Sequence, residues 1–358
     1  MIWYLDVPLY LPGDLDQQGM ASFLNLPADL VLCIADHLSP ADLNAVLRAN
    51  RSLHHLLNRA LYCSDTSYVA IFWASVYGCV STVRLSLQSL AGRGKQAHQQ
   101  ALQKAFERAS RNRHWNIVRL FVEQGADVDG ALDYYGTALQ LASWGGDTDA
   151  VKLLLDAGAD VKLQRGHYGN ALQAASSLGK NEDVVELLLH AGADVNEPGG
   201  YFGYAIQAAA ATTNLGVVKL LIKNGANVNA FGGHYGTALQ AAAWETRNNV
   251  VEVLLNAGAN VNAQGGCYGT ALQAAAWFSD RDTVQILLDR GAEVNASVGI
   301  FGTALIAAVT RGDIPIARLL VSRGAEVRLD GTAISQCSIH FRLLLYYWHL
   351  CQRSNARV

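Results

Sequence analysis

Apolar and polar positions recur along this chain on a beat of 33 or 34 residues, and each beat holds two short helical patterns. The first opens at a polar position and runs into small residues, as in Thr237, Ala238, Leu239, Gln240, Ala241, Ala242, Ala243 and Trp244. The second carries a broad apolar face with polar residues between, as in Asn249 to Asn256, where Val250, Val251, Val253, Leu254 and Leu255 supply the face. The opening position is filled by Thr137, Asn170, Tyr204, Thr237, Thr270 and Thr303, at steps of 33, 34, 33, 33 and 33 residues. A Gly-Ala pair closes each unit, at Gly125, Gly158, Gly192, Gly225, Gly258, Gly291 and Gly324.

Each unit can be read physically. A threonine followed three residues later by glutamine is a capping box: the hydroxyl accepts from a free amide of the first turn, and the glutamine reaches back to the cap amide. Thr137 with Gln140, Thr237 with Gln240 and Thr270 with Gln273 fit this; Tyr204 lacks the cap hydroxyl and Ile306 lacks the amide, so those two units should start less firmly. The alanines let neighbouring helices approach closely, and a glycine such as Gly258 ends the second helix in the left-handed conformation. No unit can bury its own apolar face, so the units must stack.

The period, with two helices and a turn per unit, resembles the ankyrin repeat. The expected fold is therefore all-α, an ankyrin-repeat solenoid with β-hairpin loops. Its repeats are expected at about 99–130, 134–163, 167–197, 201–230, 234–263, 267–296 and 300–329. A degenerate repeat and a long loop over 88–99 should fill 65–98, and a truncated repeat and tail 330–358. The tail's Tyr346, Tyr347 and Trp348 are unlike a polar finishing cap; folding back, a partner or an oligomer contact would each accommodate them.

The N-terminal part reads differently. Residues 1–22 have little helical pattern and form a leader, while 23–64 carry three helical stretches broken at Ser39 and Pro40. Leu26, Pro27, Asp29, Leu30, Ile34, Leu38, Pro40, Asp42 and Leu43 match the pattern of an F-box, which this segment resembles. His54 and His55 stand where the family usually has an aromatic residue. The combination looks like a class of filamentous-fungal ankyrin proteins. The resemblance implies a Skp-type adaptor at Leu26, Pro27, Leu30, Ile34, Leu38 and Leu43, and through it a cullin ubiquitin ligase. The alternative is a helical cap on the open end of the solenoid.

Composition narrows the partners. Charged residues are 16% and the formal charge is −3, which argues against a general nucleic-acid surface. One basic run, Arg93, Lys95, Lys104, Arg108, Arg111, Arg113 and Arg119, is read as a solvated face or, alternatively, as a surface for an acidic partner. The six cysteines form no Cys-x-x-Cys pair or disulfide framework, which fits a reducing compartment, cytoplasmic or nuclear. Met1 to Pro8 has no signal-peptide pattern, and the longest apolar runs fall short of the roughly 20 residues of a membrane helix.

No catalytic motif, phosphate loop or metal-ligand pattern is present, so the chain is expected to be a non-enzymatic protein-binding module without a cofactor. His167 and His234 occupy one hairpin position two units apart, with Tyr201 and Cys267 at the same place; helix spacing puts the two imidazoles roughly 20 Å apart, too far to share a metal. Specificity should sit at variable positions of the constant frame. Seven and eight residues beyond the opening position stand Trp144, Trp244, Trp277 and Phe278, so a protein-binding groove is expected there, with His234, Tyr235, Cys267 and Tyr268 at its hairpin edge. The competing reading packs each tryptophan against its neighbour as core. Tyr135, Tyr168, Phe202, Tyr235, Tyr268 and Phe301 recur in every unit and should stack between hairpins.

Overall fold

The computed structural model describes residues 67–90, 95–178, 181–212, 214–278, 280–300 and 302–326. The leader, the F-box-like segment with Leu26, Pro27, Leu30, Ile34, Leu38 and Leu43, residue Phe301 and the 330–358 tail lie outside these residues. Two compact units meet in sequence between Ala126 and Asp127.

In the first unit, helices α1 (Ser67–Tyr77), α2 (Val80–Leu90), α3 (Lys95–Arg111) and α4 (Trp115–Glu123) pack as two antiparallel pairs. Their core is Ile71, Val83, Leu102, Phe106, Ile117, Val118 and Phe121, all buried. The loop expected over 88–99 is largely helical instead. Helix α2 runs to Leu90 and α3 starts at Lys95, because lysine, glutamine, alanine and leucine from Lys95 to Leu102 favour helix and the glycines are confined to 91–94. Lys104, Arg108 and Arg111 fall on one exposed side of α3, and the Arg108 guanidinium also lies 5.0 Å over the Phe72 ring.

The second unit repeats one pair of helices six times. The first helices are α5 (Ala138–Gly145), α7 (Ala171–Ser176), α9 (Ala205–Ala211), α11 (Ala238–Trp244), α13 (Ala271–Trp277) and α15 (Ala304–Arg311). The second helices are α6 (Thr148–Asp156), α8 (Glu182–His190), α10 (Leu215–Lys223), α12 (Asn248–Asn256), α14 (Arg281–Asp289) and α16 (Ile314–Ser322). First helices stack on first helices and second on second. Alanine makes the close approach possible: Ala241, Ala242, Ala274 and Ala275 are fully buried, as are Val250, Val251 and Leu254 of the second layer.

The capping boxes form as their chemistry dictates. Thr237 Oγ1 accepts from the Gln240 amide at 3.2 Å, and Gln240 Oε1 accepts from the Thr237 amide at 2.7 Å. Asn170 and Gln173 do the same. The two incomplete units each keep one half: Tyr204 donates its amide to Gln207, and Thr303 accepts from the Ile306 amide. The same glutamines also join units. Gln240 Nε2 reaches the carbonyls of Ala263, Gly265 and Gly269 in the next hairpin, and Gln140, Gln173, Gln207 and Gln273 make matching reaches.

A second lock runs along the other edge of the junctions. Asn229 Nδ2 donates to Gly258 O at 3.0 Å while its Oδ1 accepts from the Asn260 amide at 2.7 Å. Asn196, Asn262 and Asn295 repeat this. Lys162 stands at the corresponding place and, lacking an acceptor, cannot take the amide of Asp194. Lys162→Asn is expected to stabilise the second unit by about 0.5–1 kcal/mol, read as a raised denaturation midpoint, the gain of two exposed hydrogen bonds. An unchanged or lowered midpoint would show that the clamp contributes nothing at that junction.

Candidate partner-docking face

The hairpins between units are closed by single antiparallel bridges, Arg165 with Gly169, Gly199 with Gly203, Gly232 with Gly236 and Gly265 with Gly269. Their tips bond directly to one another. The His167 amide donates to Tyr134 O at 2.9 Å, the Tyr201 amide to His167 O at 2.9 Å and the His234 amide to Tyr201 O at 3.0 Å. Such bonding draws the tips to the spacing of adjacent β-strands, about 4.8 Å. Their side chains follow: the Tyr134, His167, Tyr201 and His234 rings stack with centroids 4.9, 5.1 and 4.9 Å apart and interplanar angles of 15°, 21° and 20°. His167 and His234 are therefore two ring spacings apart, much closer than helix spacing implies, with the Tyr201 ring filling the space between them. The expectation of roughly 20 Å took helix packing as the measure and missed the strand-like bonding of the tips.

A second row lies beneath. Phe202 stacks on Tyr235 at 6.2 Å, Tyr235 meets Tyr268 at 6.1 Å, and Trp144 stacks on Tyr168 at 6.1 Å. The predicted groove residues divide among three places. Trp244 lies flat on Tyr268 with centroids 3.5 Å apart and meets Phe278 edge-on at 4.0 Å, and Tyr268 contacts His234, so Trp244, Phe278, Tyr235, Tyr268, His234 and Cys267 form one cluster. Trp144 joins Tyr135 and Tyr168 instead, and Trp277 receives the Arg311 guanidinium 5.6 Å above its ring. All three tryptophans are half-buried, and each touches a residue of the following unit. Packing and exposure are thus combined in the same rings.

Sequence reasoning passed over the exposed members of the upper row. Tyr134 and Tyr201 are 56% and 39% exposed, and Phe231 beside the next hairpin is 56% exposed. The signal was available as Tyr, His, Tyr, His at positions 134, 167, 201 and 234, of which the expected groove took in only His234.

A family model for ankyrin repeats (three copies) matches residues 71–165, 171–265 and 208–298, together more than half of the chain. The chain belongs to the ankyrin repeat family. The matched region takes in the degenerate first repeat. The crystal structure of the human ASB11 ankyrin repeat domain is similar in fold, with a TM-score of 0.51 and 24% identity over 58% of this chain and 96% of that one. No curated protein matches the chain. Ankyrin repeats form protein–protein interaction modules, and the ankyrin array here presents its rings on loops held by a rigid frame.

Electrostatics keep the phenols of the ankyrin face neutral at physiological pH. Burial, then neighbouring phenols, pushes Tyr168 up to about 12, and burial with the Cys267 thiol, Tyr201 and Glu245 nearby pushes Tyr268 up to about 12. Burial, with Glu245 next in weight, raises Tyr235 further still, and its hydroxyl donates to Glu245 Oε1 at 3.2 Å. Burial lowers His167 below the ordinary imidazole value, which favours its neutral form. Among the described residues no group of three His, Cys, Asp or Glu side chains is placed to hold a metal ion, and no helix is long and apolar enough to cross a membrane. The face offers flat ring surfaces and hydroxyl donors, a chemistry suited to a protein partner's apolar and aromatic side chains.

Proposed function

We propose that the chain is a two-ended adaptor. The ring-bearing face of the second unit takes a protein partner, with Trp244, Phe278, Tyr268, Tyr235, His234 and Cys267 at its centre and Trp144 and Trp277 to either side. The N-terminal segment over 23–64 recruits a Skp-type adaptor, and through it a cullin ubiquitin ligase, in the cytoplasm or nucleus. The observation that carries the docking end is the unbroken run of rings from Tyr134 to His234, part of it exposed. The ligase end is supported by the F-box-like match of Leu26, Pro27, Leu30, Ile34, Leu38 and Leu43. His54 and His55, in place of the family's aromatic residue, favour a second reading, an ankyrin scaffold unconnected with ubiquitin whose N-terminal helices only cap the array.

One co-purification separates the ends. Full-length protein is expected to retain a Skp-type adaptor, and the Leu26→Ala, Pro27→Ala double variant to lose it while keeping partners bound by the array; Trp244→Ala should do the reverse, weakening array partners about 30-fold. Intact, folded protein that retains no Skp-type adaptor would leave the scaffold reading. A lower melting temperature for Trp244→Ala with array partners fully retained would make the tryptophan core and remove the groove.

A further inference from the structure

At the tip position that carries Tyr134, His167, Tyr201, His234 and Ile300 in other units, the fifth unit places an exposed thiol, Cys267. It does not stand alone. Its Sγ lies 3.8 Å from Nδ1 of His234, and Nε2 of the same imidazole lies 2.9 Å from the Tyr268 hydroxyl. The His234 ring is held from three directions: its face stacks on Tyr201 at 4.9 Å, its backbone amide bonds to Tyr201 O, and its Nε2 meets the phenol. Tyr268 is in turn 7% exposed and flat against Trp244. In the tautomer that carries hydrogen on Nε2, that N–H donates to the phenol oxygen and the Nδ1 lone pair faces the sulfur. A nucleophile, a base within reach of it and a third group that orients the base is the arrangement that activates thiols and hydroxyls generally.

We propose that Cys267 is a base-assisted nucleophilic thiol and a site of mixed-disulfide formation with low-molecular-weight disulfides, oxidised glutathione being the test reagent. In the step, His234 Nδ1 accepts the thiol proton as Cys267 Sγ attacks one sulfur of the reagent. The new sulfur–sulfur bond forms as the reagent's breaks. The Cys267 sulfur is oxidised, the departing thiolate is the reduced fragment, and it takes the proton back from the imidazolium. His234 returns to its neutral form and no further oxidant is needed. Tyr268 acts as a positioning residue through His234. The adduct would project from the tip beside Trp244 and Phe278, so modification would alter this end of the ring-bearing face; the chemistry itself does not depend on any docking partner.

The test is the rate at which the whole chain acquires the glutathione adduct on the peptide containing Cys267, measured by mass spectrometry at neutral pH, with Cys79 as an internal reference. His234→Tyr removes the base but puts a ring where Tyr134 and Tyr201 already have one, and Tyr268→Phe keeps the stacking ring as Phe202 does. His234→Tyr is expected to slow the Cys267 reaction about tenfold or more, Tyr268→Phe by a smaller factor, both with the Cys79 rate and the melting temperature unchanged. Cys267→Ser should abolish the adduct on that peptide. A Cys267 rate in His234→Tyr equal to that of the intact chain would overturn the proposal, leaving exposure as the whole cause of reactivity. So would equal slowing of Cys267 and Cys79, which would report a change in the fold.

Discussion

Gln240→Ala should cost the second unit about 3 kcal/mol or more, although the side chain it removes is a single uncharged amide. Gln240 is fully buried, and its loss orphans groups on both sides of a junction. The Thr237 amide loses its acceptor at 2.7 Å, and the carbonyls of Ala263 and Gly265 lose donors at 3.4 and 3.0 Å. The Gly269 carbonyl, which Nε2 also reaches, keeps the Gly265 amide at 2.9 Å. The buried Thr237 amide left without a partner costs about 1–3 kcal/mol, and the two part-buried carbonyls and the emptied side-chain volume add to it, whereas truncating an exposed clamp such as Asn229→Ala should cost about 1 kcal/mol or less. In an array held by nearest-neighbour contacts the loss is local, so denaturant unfolding of Gln240→Ala should broaden or split at the junction between the units of Thr237 and Thr270. Gln240→Glu is the sharper variant, since it preserves shape and the acceptor for Thr237 but sets a carboxylate against three carbonyl oxygens. It should be at least as damaging at neutral pH. A Gln240→Ala midpoint within error of Asn229→Ala would show that these bonds do not hold the junction.

Why this glutamine escaped full recognition says what the sequence makes legible. Within a unit, local chemistry is sufficient: the cap residue, the glutamine three residues on, the alanines, the apolar face and the terminal glycine each state their role within four residues of themselves, and helices formed where they indicate. Gln240 reveals its reach toward Thr237 for that reason. Its reach toward Gly265 spans 25 residues and depends on how closely two hairpins approach, which no local pattern encodes. The ring row is the same case. That Tyr168, Tyr235 and Tyr268 recur, and so stack, follows from the repeat; that Tyr134 and Tyr201 lie exposed, one strand spacing from a histidine, follows from the tip-to-tip hydrogen bonds. Where the repeat degenerates, over 88–99, glycine content pointed to a loop and helix propensity prevailed.

The tip-to-tip approach has its own test, in a residue with no side chain. Gly233→Ala should destabilise the second unit by about 3 kcal/mol or more, while Gly258→Ala should cost about 1–2 kcal/mol. Both glycines have positive φ, +60° and +89°, so both substitutions carry the left-handed penalty of about 1–2 kcal/mol. Their surroundings differ. A Cβ on Gly258 meets nothing within 4 Å, whereas one on Gly233 would lie 2.2 Å from the Phe202 carbonyl carbon and oxygen and 2.5 Å from the Gly203 nitrogen. Those atoms are backbone and cannot rotate away, so the tips must separate, and with them the Tyr201–His234 hydrogen bond and ring stack. Gly166, Gly200 and Gly266 meet the preceding unit's backbone in the same way, which makes the bare Cα the condition for the whole row. The difference between the two substitutions therefore measures the closeness of the tips with conformational cost subtracted. A Gly233→Ala variant no less stable than Gly258→Ala would mean that the tips stand apart, and the rings would then lose the spacing on which the docking face and the Cys267–His234 contact both depend.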